Sequence, residues 1–209
     1  MYFLKNNEHV SLKKAIGILF LIFASLLIVG CSADGAEEGN GEEAEETVDE
    51  SEQAIRAVIE KEFNGPDETY KELWDAAMEA QVSEEYAEDY DAYLESPEHQ
   101  ALVSYSEETY AAYFTENGYD NFINAVPAFM YSTFDHDYEL STSNIEIVQS
   151  ENGETLYDFT FQVEYTDENG ESEQFDFEGK AIAPEEGKIG EIQYMDEGQG
   201  LLEKLRNNE

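Results

Sequence analysis

Nine consecutive residues, Tyr157 to Tyr165, constrain this chain more than any other stretch. The odd positions (Tyr157, Phe159, Phe161, Val163, Tyr165) are all apolar or aromatic, and the even positions (Asp158, Thr160, Gln162, Glu164) are all polar. Successive side chains of a strand point to opposite faces, so this strict alternation sets one face against a core and the other in water. Asn152-Gly153 precedes the run and Asn169-Gly170 follows it. Asn-Gly between alternating runs signals a hairpin, because both residues tolerate positive φ. Phe175 and Phe177 belong to the next strand, with Gly179, Ala181 and Ala183 on the same face. Tyr138 to Gln149 reads as the first strand and Ile189 to Met195 as the last. The expectation is a four-stranded antiparallel meander with one aromatic side.

The residues before this sheet read as helices. Thr47-Val-Asp-Glu50 is a capping-box signal before Ile55, Val58, Ile59 and Phe63, which share a helical face. Gly65-Pro66 ends that helix, and Asp67 caps a second with Tyr70, Leu73, Trp74, Ala77 and Met78 as its stripe. Ser83 starts a third with Tyr86, Tyr90, Tyr93 and Leu94 on one face, and Ser96-Pro97 fits an N-cap followed by Pro at the first helical position. Ser106 opens a further turn carrying Tyr110, Tyr113 and Phe114, closed by Gly118, and Tyr119 to Phe134 is helical with an interruption at Pro127. Helices followed by a meander imply an α+β domain with the helices packed on one face of the sheet.

The N-terminus reads as a targeting signal. Lys5, Lys13 and Lys14 precede Ala15 to Gly30, sixteen residues without a charge. A bilayer-spanning helix needs about 20 apolar residues, so the run suits a secretory signal peptide better than a permanent span. It ends Leu27-Ile28-Val29-Gly30-Cys31, which resembles the bacterial lipoprotein lipobox. That resemblance implies cleavage between Gly30 and Cys31, a diacylglyceryl thioether on Cys31, and residence on the outer face of the cytoplasmic membrane. Two acyl chains anchor stably where one is marginal. Cys31 is the only cysteine, so no intrachain disulfide exists and the domain is held by its core.

Ser32 to Glu50 then carries nine acidic residues and no basic one, with three glycines among them. Such a segment repels itself and buries little, so it reads as a disordered flexible linker. The organisation expected is a signal peptide over 1–30, a lipidated Cys and acidic linker over 31–50, and a single domain over 51–209. That last part holds 40 acidic against 7 basic residues, a net −33. A polyanion offers nucleic acid no cationic footprint and is repelled by anionic headgroups, so nucleic acid is excluded as a partner. The charge lies in the folded part and points to a salt-adapted, halophilic source.

Phe63-Asn64-Gly65-Pro66-Asp67-Glu68 and the alternating strand Tyr157–Tyr165 resemble the nuclear transport factor 2-like superfamily, and more narrowly small lipoproteins of Gram-positive bacteria that carry such a domain after a lipobox. The resemblance covers about Ser51 to Asp196. It implies N-terminal helices against a curved, cone-like sheet. A cystatin-like helix-on-sheet domain is the competing fold. The superfamily contains isomerases, dehydratases and hydrolases beside binding modules, so fold alone assigns no chemistry. Its enzymes use an Asp–His or Asp–Tyr constellation, which has no residue-by-residue match in this sequence.

Candidate chemistry is sparse. Asp135-His136-Asp137 sets carboxylates beside a histidine, an acid–base arrangement if they met the ring. Sequence neighbours point in different directions, however, so adjacency alone does not join them. His99 reads as a surface residue of a first helical turn. Asp167 to Glu178 partly echoes a calcium loop, but Ser172 occupies the place where that loop needs Gly, and the flanks alternate as strands. The motifs of nucleotide, zinc and nucleophile-elbow sites are missing, so neither metal nor cofactor is expected. The ligand-binding candidates are aromatic: Tyr70 and Trp74 from a helix, with Tyr157, Phe159, Phe161, Tyr165, Phe175 and Phe177 from strands. The same rings also suit a helix–sheet core. The expected role is a non-enzymatic binding or accessory module whose partner is an envelope protein or small ligand. The alternative is a small-molecule enzyme using the cone interior.

Overall fold

A computed structural model describes residues 49–125, 128–196 and 200–207. The signal segment, Cys31 and most of the acidic linker lie outside the described residues. Among those described, no helix is long and apolar enough to cross a membrane.

The domain is α+β. Helices occupy its N-terminal half, and a four-stranded antiparallel sheet that does not close follows in the order β1-β2-β3-β4. Helix α1 spans Glu50–Phe63 and α2 spans Glu68–Gln81. Asp49 caps α1 by accepting from Ser51 N (2.9 Å) and Glu52 N (3.0 Å), so the cap lies two residues beyond Thr47. Asp67 caps α2 through Tyr70 N (2.9 Å). Residues after Ser83 form turns, and only Tyr90–Leu94 is helical there (α3). Ser96 and Pro97 open α4 (Pro97–Tyr110) as expected. The turn expected at Ser106 is instead the interior of α4: its Oγ donates to Leu102 O (3.0 Å), a back-bond that lets serine sit inside a helix. Gly118 likewise lies within α5 (Glu116–Ala125), where a Cβ would come 2.4 Å from Ile189 O. It is a glycine for close approach, not a stop. A helix absent from the sequence reading, α6 (Gly200–Asn207), buries Leu201 and Leu205 completely.

The strands are β1 (Tyr138–Gln149), β2 (Leu156–Asp167), β3 (Ser172–Ile182) and β4 (Glu191–Asp196). Positions 157, 159, 161, 163 and 165 of β2 are buried, as the alternation requires. Neither Asn of the two Asn-Gly pairs adopts positive φ; Gly170 alone does, at +80°. The β2–β3 connection is longer than a two-residue turn. Gly170 N bonds Asp167 O and Asp167 N bonds Glu171 O, so only the last turn position needs the left-handed conformation.

The free edge of β1 is covered by the end of α1. Gly65 and Leu140 exchange backbone hydrogen bonds, Asn64 Oδ1 accepts from Thr142 N (2.6 Å), and Arg56 Nη1 donates to Ile145 O (3.1 Å). Covering this part of the edge shortens what is left as a template for aggregation. The core lies between the helices and the odd-numbered face of β2 and β3. Phe63 is its centre, with ring centroids at 4.8 Å from Phe161, 4.9 Å from Phe177 and Tyr131, and 5.0 Å from Tyr194.

Candidate functional site

The eight aromatic candidates do not converge. Phe159, Phe161 and Phe177 pack together on the helix-facing side of the sheet, with Phe161 stacked on Phe177 at 5.0 Å. Tyr70 and Trp74 stack on each other at 6.1 Å, and Tyr70 lies 4.1 Å from Phe129. Tyr157 stands at one end of β2, its hydroxyl donating to Asp49 Oδ2 (3.0 Å). Tyr165 stands eight residues on, about 26 Å at strand rise, beside Tyr138 and beneath Lys204 Nζ at 5.5 Å. Phe175 meets Gly200 at the start of α6. One small ligand cannot touch all eight.

The structure brings together a different group around Glu62. In α1, Ile55, Val58, Ile59 and Glu62 fall on one helical stripe, so the apolar spacing itself carries a carboxylate into the core. Glu62 is 4% exposed. Its Oε2 accepts from Tyr110 Oη (2.9 Å) and Phe129 N (2.9 Å), and its Oε1 accepts from Met130 N (3.1 Å). Phe129 adopts φ +59°, the left-handed region that turns its own and the next N–H toward one anion. Burial raises the Glu62 carboxyl to about 7, and the three donors oppose that shift without offsetting it.

Tyrosines surround this acid. Burial and the Glu62 charge push Tyr70 up to about 12. The same two causes push Tyr110 and Tyr194 far above the ordinary phenol value. The Tyr194 hydroxyl is enclosed and has no hydrogen-bond partner among the described residues. The arrangement can hold one proton near neutral pH inside an aromatic shell. Sequence reading missed it because Glu62 is one acid among 50. Its i+7 spacing from Ile55 was the available signal.

His136 borders a cleft of about 490 Å³ with Asp135, Asp137, Tyr165, Asp167, Glu168 and Asn169. Neither ring nitrogen has a hydrogen-bond partner among the described residues, so the flanking aspartates do not orient the imidazole. Asp167 Oδ1 accepts from Asn169 N and Glu171 N (both 2.9 Å), and these bonds, that from Glu171 foremost, hold its carboxyl below the ordinary value. It serves the hairpin that replaces any calcium loop. His99 Nδ1 lies 3.1 Å from Leu94 O, and its ring packs edge-on to Tyr93 at 4.9 Å. It joins α4 to α3.

Two further clefts lie on the sheet face turned away from the helices. One, of about 470 Å³, is lined by Asn144, Glu146, Thr160, Gln162, Asp176 and Glu178. The other, of about 230 Å³, includes Leu156, Asp158, Lys180, Ile182 and Glu191. Compared with known proteins, the chain matches no family model and no curated protein.

Proposed function

We propose that the chain is an exported lipoprotein, anchored through Cys31 to the outer face of the cytoplasmic membrane, and that its domain is a non-enzymatic binding or accessory module of the cell envelope. The anchor rests on the lipobox-like end of the apolar run and the acidic spacer after it. The nuclear transport factor 2-like assignment is supported by helices laid on one face of an open antiparallel meander. One observation carries the non-enzymatic reading. The helix-facing side of the sheet is packed with the chain's own rings around Phe63, and the acid among them is held by the chain's own donors. Two tests apply. Wild type is expected to incorporate labelled palmitate and Cys31→Ser to lose both label and membrane association. Purification of the lipidated protein from its own membrane, with mass spectrometry, is expected to return a stoichiometric envelope protein or ligand.

A second reading, a small-molecule enzyme, is favoured by one observation: a carboxyl raised to about 7 close to the Tyr194 hydroxyl, which has no hydrogen-bond partner among the described residues. It predicts a co-purifying small molecule whose turnover is lost in Tyr194→Phe while the fold persists.

A further inference from the structure

Among the described residues, the sheet has helices on one face only. On its other face, register aligns Leu156 with Ile182 and Val148 with Asp158, which in turn faces Lys180; Met195 lies beside Glu178. Val148 is 65% exposed, Met195 38% and Ile182 37%. Half of the exposed large hydrophobic residues of the described chain therefore sit on this one face, whereas polar residues normally occupy the wet side of an alternating strand. Carboxylates surround them: Glu146 on β1, Asp176 and Glu178 on β3, and Glu191 on β4. Lys180 is the one ammonium in the four strands, and Asp158 lies 3.7 Å from it. Both clefts on this face are lined by residues of these same rows.

Resting on the reading of the domain as a binding module, we infer that this outer sheet face docks a basic amphipathic polypeptide segment. Its apolar stripe covers Val148, Leu156, Ile182 and Met195, and its Lys or Arg side chains meet the carboxylate rim. Val148, Leu156 and Ile182 form one apolar group and Met195 another, with the Asp158–Lys180 pair between them, and apolar groups flanked by charge are the anatomy of a protein interface. Charge complementarity selects the occupant. A second copy of this chain brings the same carboxylates against themselves, with a net −33 on each domain. Anionic lipid and nucleic acid are repelled for the same reason. A helix suits the geometry, since residues three and four apart on a helix lie about 5–6 Å from each other, close to the roughly 4.8 Å between the neighbouring strands that carry Val148, Leu156 and Ile182; Met195, four residues along from the partner of Ile182, meets a turn about 13 Å further on.

The test uses the full lipidated chain in zwitterionic-lipid nanodiscs, with empty nanodiscs as reference. The probes are a synthetic helical Lys/Leu peptide and its Glu/Leu counterpart, each titrated in dilute buffer and in 1 M NaCl. The Lys/Leu peptide is expected to bind and the Glu/Leu peptide not. Combined Val148→Ser, Ile182→Ser and Met195→Ser, which leave net charge unchanged, are expected to weaken binding at least tenfold. Val82→Ser, at an exposed apolar residue outside the sheet, is expected to change it less than twofold. Equal binding to the triple variant and to wild type overturns the proposal, since net charge alone then accounts for it. So does comparable binding of the Glu/Leu peptide. Self-association of the wild type that the triple variant abolishes also overturns it, in favour of a second copy. None of these outcomes touches palmitate labelling or turnover, which decide the broader functional reading separately.

Discussion

The hydroxyl of Tyr110 stands 2.9 Å from Oε2 of Glu62, a partner 48 residues away in the chain. This bond ties α4 to α1, and the same carboxylate ties α1 to the backbone at Phe129 and Met130. One buried acid thus fixes three segments.

Removing that acid strands its donors. Glu62→Ala leaves two backbone N–H groups and a hydroxyl unpaired, at about 1–3 kcal/mol each. A loss of at least about 3 kcal/mol is expected in urea unfolding. A loss under about 1 kcal/mol would show that the carboxylate does not hold the Phe129 corner.

The same group makes stability depend on pH. Its folded pKa, about 7, exceeds the ordinary 4.5. The native state therefore binds the proton more tightly, and the contribution is full below about 4.5 and lost as pH rises through 7. The shift corresponds to about 3 kcal/mol. Wild type should lose roughly that much relative to Glu62→Gln between pH 4.5 and pH 8. Parallel pH profiles for the two proteins would refute the linkage.

Two helix caps each receive a distant tyrosine. Asp49 accepts from Tyr157 Oη at 3.0 Å, and Asp67 accepts from Tyr105 Oη at 2.8 Å. Asp49→Ala should cost about 1–2 kcal/mol and Tyr157→Phe about 1 kcal/mol. A double-mutant cycle should return a coupling of at least about 0.5 kcal/mol. Additive losses would mean that the tyrosine bond contributes nothing to the cap.

Gly179 faces Phe159 across the β2–β3 pair. A Cβ there would lie 2.3 Å from Phe159 Cζ and 2.4 Å from Gln193 O. Gly179→Ala should therefore destabilise by about 1–3 kcal/mol or more through overpacking. At Gly170, whose φ is +80° and whose Cβ would meet nothing within 4 Å, alanine should cost only about 1 kcal/mol through backbone conformation. Thermal denaturation of both variants checks the order.

Charge should govern the response to salt. A domain at net −33 repels itself in dilute buffer. At 1 M salt the Debye length falls to about 3 Å, so the melting temperature should rise in molar NaCl. A flat or falling dependence would oppose a salt-adapted surface.

The sheet was legible because period two is a local property: each residue of Tyr157–Tyr165 declares its face without reference to the rest of the chain. The caps at Asp67 and Ser96 were legible for the same reason, since a cap and its first turn are neighbours in sequence. Ser106 and Gly118 misled because each residue type serves two roles. Serine caps helices but also back-bonds inside them, and glycine ends helices but also admits a crossing backbone. Helix α6 was missed because eight residues with Leu201 and Leu205 four apart form too short a pattern to stand out.

Sequence alone therefore determined the α+β class, the four strands, the charge of the surface and the lipobox-like start. Each follows from composition or from spacing along the chain. Tertiary structure decided which acid is buried, which tyrosines meet it, and that the eight aromatic candidates line no single cavity. It also placed the exposed Val148, Ile182 and Met195 on one face. The physical reason is distance. Glu62 gains its character from burial and from its bonds with Phe129, Tyr110 and Met130, whose approach is set by packing across the fold rather than by any pattern around position 62.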